Sequence, residues 1–313
     1  MTKYKHIFGP VPSRRLGISL GIDLVPFKVC TMDCVYCEIG KTKKLTIQRD
    51  EYVAYNEIIS EIDSYLSSSP ILDFITFSGA GEPTLHSRIG DIIYHLKAKY
   101  LNYKIALLTN GSLFTDPNVR NECLDVDLIL PSLDAVSDEA FKKINRPHPD
   151  LNNQNIINGL IELRKEFNNK IWMEVFIIPG INDNHNEISL LKQNLQKINP
   201  DEVQLNSLDR PGTEKWVTFL SKKEMQKIAN QFYPLNTEII TKFKSRDNIK
   251  SYKKQNEETI ISTLERRPCT EIDLLELTGL KINELNKYLS SLLSKGKIEE
   301  EYRNRGLFIK LKI

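Results

Sequence analysis

The sequence predicts an α/β chain: six strand–helix units with a parallel sheet over residues 16–233, then a smaller module of short helices ending in a strand pair. Two observations carry this prediction. From Ile18 onward, short apolar runs closed by Gly, Pro, Ser or Asn alternate with stretches of helical periodicity, the pattern of strands joined by crossovers. From Glu257 the pattern changes. The 313 residues suffice to bury one full core and a second small one. The boundaries expected are a first domain at 1–240, a linker at 241–256 and a second domain at 257–313.

Taken in order, Gly9-Pro10-Val11-Pro12-Ser13-Arg14-Arg15 reads as an extended arm, because two prolines and a glycine disfavour a helix. Arg14 and Arg15 suit a phosphate or a carboxylate, or form a solvated pair at the edge of the fold. A strand over Ile18–Val25 stops at Pro26 and delivers the chain into Cys30-Thr31-Met32-Asp33-Cys34-Val35-Tyr36-Cys37. A helix over Tyr52–Leu66 precedes a strand over Leu72–Phe77, which stops at Ser78-Gly79-Ala80-Gly81-Glu82-Pro83. Further helices are expected near 87–99, 136–144, 152–168 and 184–198. Further strands are expected at Tyr103–Leu108, Val126–Leu130, Ile171–Ile178 and Glu202–Leu208. Polar or glycine-containing turns follow these strands: Thr109-Asn110-Gly111-Ser112, Pro131-Ser132-Leu133-Asp134 and Asp209-Arg210-Pro211-Gly212. Six units are too few for an eight-unit barrel, but turns after strands are where such folds carry their sites.

In the tail, a helix at 257–266 leads to Thr270, an N-cap before an acidic turn. A helix over Lys281–Leu293 follows. Strands over Ile298–Tyr302 and Leu307–Ile313 are joined by Arg303-Asn304-Arg305-Gly306. Three helices and a hairpin resemble a winged helix-turn-helix. Residues 241–313 carry 16 Lys and Arg against 11 Asp and Glu, a charge of +5 against −3 elsewhere. That suits nucleic acid, although Glu299-Glu300-Glu301 opposes it, and such modules also dock proteins.

Three cysteines spaced C-x3-C-x2-C lie within eight residues; the other two, Cys123 and Cys269, stand alone. Three thiolates on one loop hold three irons of a 4Fe–4S cluster and leave the fourth open. Zinc needs a fourth ligand, and none follows at zinc spacing. A disulfide framework does not suit a chain of this length with an odd cysteine count. In the turn at 79–83, Gly79 and Gly81 let a ligand approach the backbone, and Glu82 adds an acceptor. The overall charge of +2 names no partner. No apolar run approaches about eighteen residues, and no hydrophobic signal region opens the chain, so a cytoplasmic location without membrane contact is expected.

The cysteine spacing, with Tyr36 before the last cysteine, resembles the radical S-adenosylmethionine (SAM) superfamily. The resemblance implies a partial (βα)6 barrel and an open iron that chelates SAM. Reductive cleavage then gives methionine and a 5′-deoxyadenosyl radical that abstracts hydrogen from a substrate. It further implies Cys30, Cys34 and Cys37 as iron ligands. Tyr36, Gly79, Gly81, Glu82, Asn110, Ser132 and Asp134 are implied on the SAM side, with an electron donor such as flavodoxin or ferredoxin. Arg146, Asn206 and Arg210 lie on loops suited to substrate contact.

Phe8 to Gly17, the cysteine loop, the Gly79–Pro83 turn and Val203-Gln-Leu-Asn-Ser-Leu-Asp-Arg-Pro211 are together similar to iron–sulfur oxidoreductases related to wyosine synthetase. Those enzymes build a tRNA base with a second cluster, for which two isolated cysteines are too few. The leading expectation is therefore a single-cluster radical SAM enzyme acting on a macromolecule, with RNA or tRNA reached through the tail. The alternatives are a protein- or peptide-modifying enzyme or glycyl-radical activase, and a cluster-containing regulator.

Overall fold

A computed structural model describes residues 4–13, 15–208, 213–240, 256–280, 285, 288–289, 292–303 and 306–312. Eight strands form one sheet in chain order: β1 (Ile7–Ser13), β2 (Gly17–Ile22), β3 (Phe74–Phe77), β4 (Lys104–Thr109), β5 (Leu128–Pro131), β6 (Lys170–Phe176), β7 (Glu202–Asn206) and β8 (Thr237–Ile239). β1 is antiparallel to β2, and every later pair is parallel. The N-terminal arm is thus an edge strand of the sheet. The six expected strands are β2 to β7, each ending within a few residues of its forecast. β8 adds a seventh parallel strand, which the sequence reading did not contain.

Helices join the strands: α1 (Tyr55–Leu66), α2 (Ile89–Lys99), α3 (Pro117–Glu122), α4 (Asp138–Asn145), α5 (Asn153–Glu166), α6 (His185–Ile198) and α7 (Lys222–Gln231). Their ends follow local chemistry. Asp116, Ser137, Asn152, Asn184 and Ser221 each accept a backbone N–H of the first turn, satisfying donors that the helix cannot. α1 buries Ile58, Ile62 and Leu66, one stripe at a spacing of four.

Alternation along the strands divides two cores. Ile75, Phe77, Ile105, Leu107, Ile129, Met173, Val175, Val203 and Leu205 face the helices. On the other face, Leu16, Ala106, Leu128 and Leu130 pack with Phe74, Leu108 and Trp172. The side chain of Arg15, just before β2, bonds to Glu174 on β6. Four strand steps in a flat sheet would separate them by about 19 Å. The sheet is therefore curled, and the second apolar cluster is the floor of its concave side.

The C-terminal module has α8 (Asn256–Leu264), β9 (Cys269–Thr270), α9 (Glu271–Thr278), β10 (Ile298–Arg303) and β11 (Gly306–Leu311), with the three strands ordered β9, β11, β10. α9 opens with a reciprocal Thr270–Asp273 capping box and ends at Gly279, whose φ of 64° is left-handed. Ile260, Leu264, Leu274, Leu277, Leu285, Leu289, Leu292, Ile298 and Ile309 form its own core. The helix expected at Lys281–Leu293, the turn residues Asn304 and Arg305, most of the linker, Arg14 and Arg210 fall wholly or largely outside the described residues. Among the described residues, no helix is long and apolar enough to cross a membrane.

Candidate active site

The cysteine loop begins where the chain leaves β2, and neighbouring backbone fastens it. Asp33 N–H donates to the carbonyls of Asn145 and Arg146, Val35 N–H to Ile144 and His148 N–H to Thr31. The C-terminus of α4 thus grips the loop. Arg146 sits at a left-handed φ of 44°, which turns the chain out of α4. Its Nη1 donates to Glu214 Oε1 at 2.6 Å and lies 4.0 Å from Asp33 Oδ2. Arg146, expected at substrate, thus meets carboxylates of this chain while its side chain stays 37% exposed.

Each thiol has its own N–H donor. Lys28 Nζ lies 3.1 Å from Cys37 Sγ, Asn145 Nδ2 3.5 Å from Cys34 Sγ, and Asn110 Nδ2 3.7 Å from Cys30 Sγ. Donors to sulfur stabilise the thiolate form and tune a bound metal group. Burial, with Glu82 adding to it, pushes the Cys30 thiol up to about 12. Burial, then Asp134, pushes Cys34 well above its ordinary value. Iron binding at these two sulfurs would take them as thiolates and release their protons. Among the described residues, no three His, Cys, Asp or Glu side chains converge on a single ion. The donor set is three sulfurs spread along one loop, which suits a cluster with bulk of its own.

Asn110 and Tyr36 also connect the loop to its surroundings. Asn110 Nδ2 donates to Thr31 Oγ1 at 2.7 Å, so its amide serves the loop. The Tyr36 ring stacks on Phe176, with centroids 3.9 Å apart and 7° between planes. Its hydroxyl donates to Asp134 Oδ2 at 2.6 Å. Asn145 Nδ2 and the Phe176 N–H also donate to Asp134, which is 2% exposed. Asp134 is expected on the SAM side, but its carboxylate is consumed by the loop and β6. Burial holds its carboxyl up at about 6. Ser132 and Asp134, with Asn110, line a small void behind the loop.

The turn after β3 packs against the start of the loop. Lys28 N–H donates to the Ala80 carbonyl at 2.6 Å, and Glu82 N–H to Val29 at 3.1 Å. A Cβ at Gly81 would overlap the Val29 carbonyl oxygen, and Gly79 has a φ of 109°; both positions require glycine. Glu82 does not face a ligand as expected. It is 2% exposed and caps the short turn Pro83–Leu85. Its carboxylate accepts from Thr84 N–H and Oγ1, Thr109 Oγ1 and Asn110 N–H. The surface the turn offers to a ligand is the backbone around Gly79 and Gly81.

Inside the curled sheet lies a cavity of about 390 Å³. Its rim carries Cys30, Tyr36, Cys37, Gly79 and Gly81; its depth carries Ser19, Thr76, Leu108, Arg15, Glu174 and Asn206. Asn206, expected on a loop suited to substrate contact, is the last residue of β7 and donates to Glu174 Oε1 at 3.2 Å. Arg15 meets a carboxylate, but an internal one. The Thr76 hydroxyl, 3% exposed, has no hydrogen-bond partner among the described residues. Lys28 and Glu174 escaped the sequence reading. Lys28 is the least legible: a lysine 2% exposed, at a φ of 66°. Its backbone is pinned by the Ala80 carbonyl and by Lys43 and Lys44 N–H groups.

Comparison with known proteins agrees with this geometry. The family model described as "Radical SAM superfamily" matches residues 24–191. A UPF0026 protein of Methanocaldococcus jannaschii is 31% identical over 310 residues, covering 97% of this chain and 95% of its own length. A protein named GTPase Obg from Brachyspira hyodysenteriae is 37% identical over 308 residues. That match covers 96% of this chain, which spans 44% of that relative's length. The sequence here contains no G-x4-G-K-[S/T] phosphate loop. Streptococcus suis SuiB, solved bound to S-adenosylmethionine, superposes with a TM-score of 0.52 at 12% identity, covering 70% of this chain and 50% of its own. The likeness to SuiB is one of fold. The chain belongs to the radical SAM superfamily and is a radical SAM enzyme, with a 4Fe–4S cluster and S-adenosylmethionine as its cofactors.

Proposed function

We propose that Cys30, Cys34 and Cys37 hold one 4Fe–4S cluster, that SAM lies against the Gly79–Gly81 turn, and that a macromolecular substrate presents a single group to the cavity beneath. The observation that carries this reading is three thiols, each with an N–H donor, on the rim of a closed-floored cavity. When bound and reduced by a donor such as flavodoxin or ferredoxin, the cluster supplies the electron that cleaves SAM, and the resulting radical removes a hydrogen atom from the substrate. The chain's own residues orient and enclose. Tyr36 and Phe176 form an apolar wall, Arg15, Glu174 and Asn206 offer charge and hydrogen bonds in the depth, and the floor excludes water. Cys123 and Cys269 are buried singly, so a single cluster is the reading here, and the wyosine reaction with its second cluster is not favoured.

A macromolecule is favoured over a small metabolite because the cavity adjoins a groove of about 1000 Å³ between the barrel and the C-terminal module. Glu38, Ile39, Arg266 and Arg267 line both. We read the module as a winged helix, and the +5 charge of residues 241–313, all of which falls in the linker at 241–256, favours RNA such as tRNA. A second reading, a polypeptide substrate, is favoured by the groove's mixed lining: Lys43, Lys215 and Lys310 face it alongside Glu38, Glu57 and Glu265. The test is to compare modified nucleosides and modified peptides between wild-type cells and cells lacking the protein. A missing nucleoside supports RNA, and a missing peptide modification supports the second reading. Neither change, with SAM cleavage intact in vitro, argues for a small-molecule substrate.

A further inference from the structure

Arg266 follows α8 in the C-terminal module yet contributes to the wall of the cavity that carries the cysteines. Its guanidinium lies 3.7 Å from the centroid of the Phe8 ring. Nη2 donates to Asp23 Oδ2 at 2.6 Å, and Nη1 to the Ser262 carbonyl at 2.8 Å. Nε is buried with no hydrogen-bond partner among the described residues. The other Asp23 oxygen accepts from Ala80 N–H at 2.9 Å. Asp23 is 8% exposed, and burial pushes its carboxyl up while Arg266 opposes the rise.

Phe8 and Asp23 are pressed onto the turn as well. A Cβ at Gly79 would overlap Asp23 Oδ1 and crowd the Phe8 ring, and one at Gly21 would overlap the same ring. The module's arginine therefore bears on two side chains that both back the Gly79–Ala80–Gly81 turn, while the front of that turn lines the cavity. A planar guanidinium suits this double duty, stacking on an aromatic ring while its edge pairs with a carboxylate.

We propose that the C-terminal module is a working part of the active site: Arg266 is a positioning residue that, through Asp23 and Phe8, holds the turn in the shape that binds SAM, so that seating of the module and binding of SAM favour each other. The proposal rests on the reading of this turn as the SAM site. Such coupling is reciprocal: whatever the seated module adds to SAM affinity, bound SAM adds to seating.

The test uses the full-length, cluster-reconstituted protein, with Arg266→Ala, Asp23→Asn and the pair combined. Iron content and the visible spectrum should match wild type. SAM affinity should fall about tenfold or more in each single variant, within the span of such couplings, and the double variant should be no worse than the weaker single one. Arg266→Lys, which keeps the charge and loses the stack, should fall between. Amide hydrogen exchange over 256–264 should slow when SAM is added to wild type and stay unchanged in the variants. Asp23→Asn, nearly isosteric and made on the barrel side, serves where Arg266→Ala unfolds the module. Wild-type SAM affinity in the variants, or exchange over 256–264 indifferent to SAM in wild type, overturns the coupling. Wild-type protein that holds iron but does not bind SAM overturns the reading of the turn itself.

Discussion

The cysteine loop and the C-terminal module both border the cavity but are secured in opposite ways. The loop has little core of its own and is tied by its backbone to residues 144–148 and by side chains to Asn110, Asn145 and Asp134. The module has a separate core rich in leucine and isoleucine, and Arg266–Asp23 is an ion pair that ties it to the barrel. A loop fixed by many backbone bonds is preorganised for a group of exact dimensions. A module with its own core can shift as a body without losing its fold. The Gly79–Gly81 turn bonds directly to the start of the loop and is backed by Asp23 and Phe8, on which Arg266 bears, so sensitivity to the module falls at the SAM side and the cysteines are insulated from it.

That contrast can be broken at the loop. Asp134→Ala removes the acceptor for Tyr36, Asn145 and the Phe176 N–H at once. Leaving such groups buried and unpaired should lower apo-protein stability by about 3 kcal/mol, read by urea denaturation. Iron uptake should fall with it, while amide exchange over 256–264 stays as in wild type. An equal disturbance of both regions would contradict the separation.

Arg146→Ala should do much less. The side chain is 37% exposed and its partner Glu214 is 30% exposed, so the loss should stay below about 1 kcal/mol after solvent screening. Iron content after reconstitution should remain near wild type, since backbone bonds carry the grip. A collapse of iron uptake would mean that the guanidinium itself shapes the loop. The smallest effect is expected in the depth of the cavity. Thr76→Val replaces a buried hydroxyl without a partner by a methyl of similar size. Apo-protein stability should be unchanged or rise by about 0.5–1 kcal/mol, and a clear loss would show that the hydroxyl has a partner in solution.

The sequence made the cysteine loop and most of the strands readable, because both are local signals: a spacing of thiols, and apolar runs closed by Gly, Pro or Asn. Gly79 and Gly81 were readable for the same reason. What escaped was the direction of polar side chains. Glu82, Asp134 and Arg146 have the right chemistry for a ligand, but each is consumed by partners within this chain, mostly distant in sequence, and spacing does not reveal that. Lys28 gave no signal because lysine is ordinarily exposed, and its burial depends on Cys37, Ala80 and the 43–44 backbone. Arg266 meets a carboxylate 243 residues away, a pairing that exists only once the module is seated. β8 is three residues long and carries no alternation strong enough to mark it.

The most direct measurement is anaerobic reconstitution with iron and sulfide, followed by reduction in the presence of SAM. The account predicts about four irons per chain, a 4Fe–4S spectrum, and release of 5′-deoxyadenosine and methionine. It predicts none of these when Cys30, Cys34 or Cys37 is changed to Ala. A single-cysteine variant that retains the spectrum and still cleaves SAM would contradict the assignment of the cluster to these three thiols.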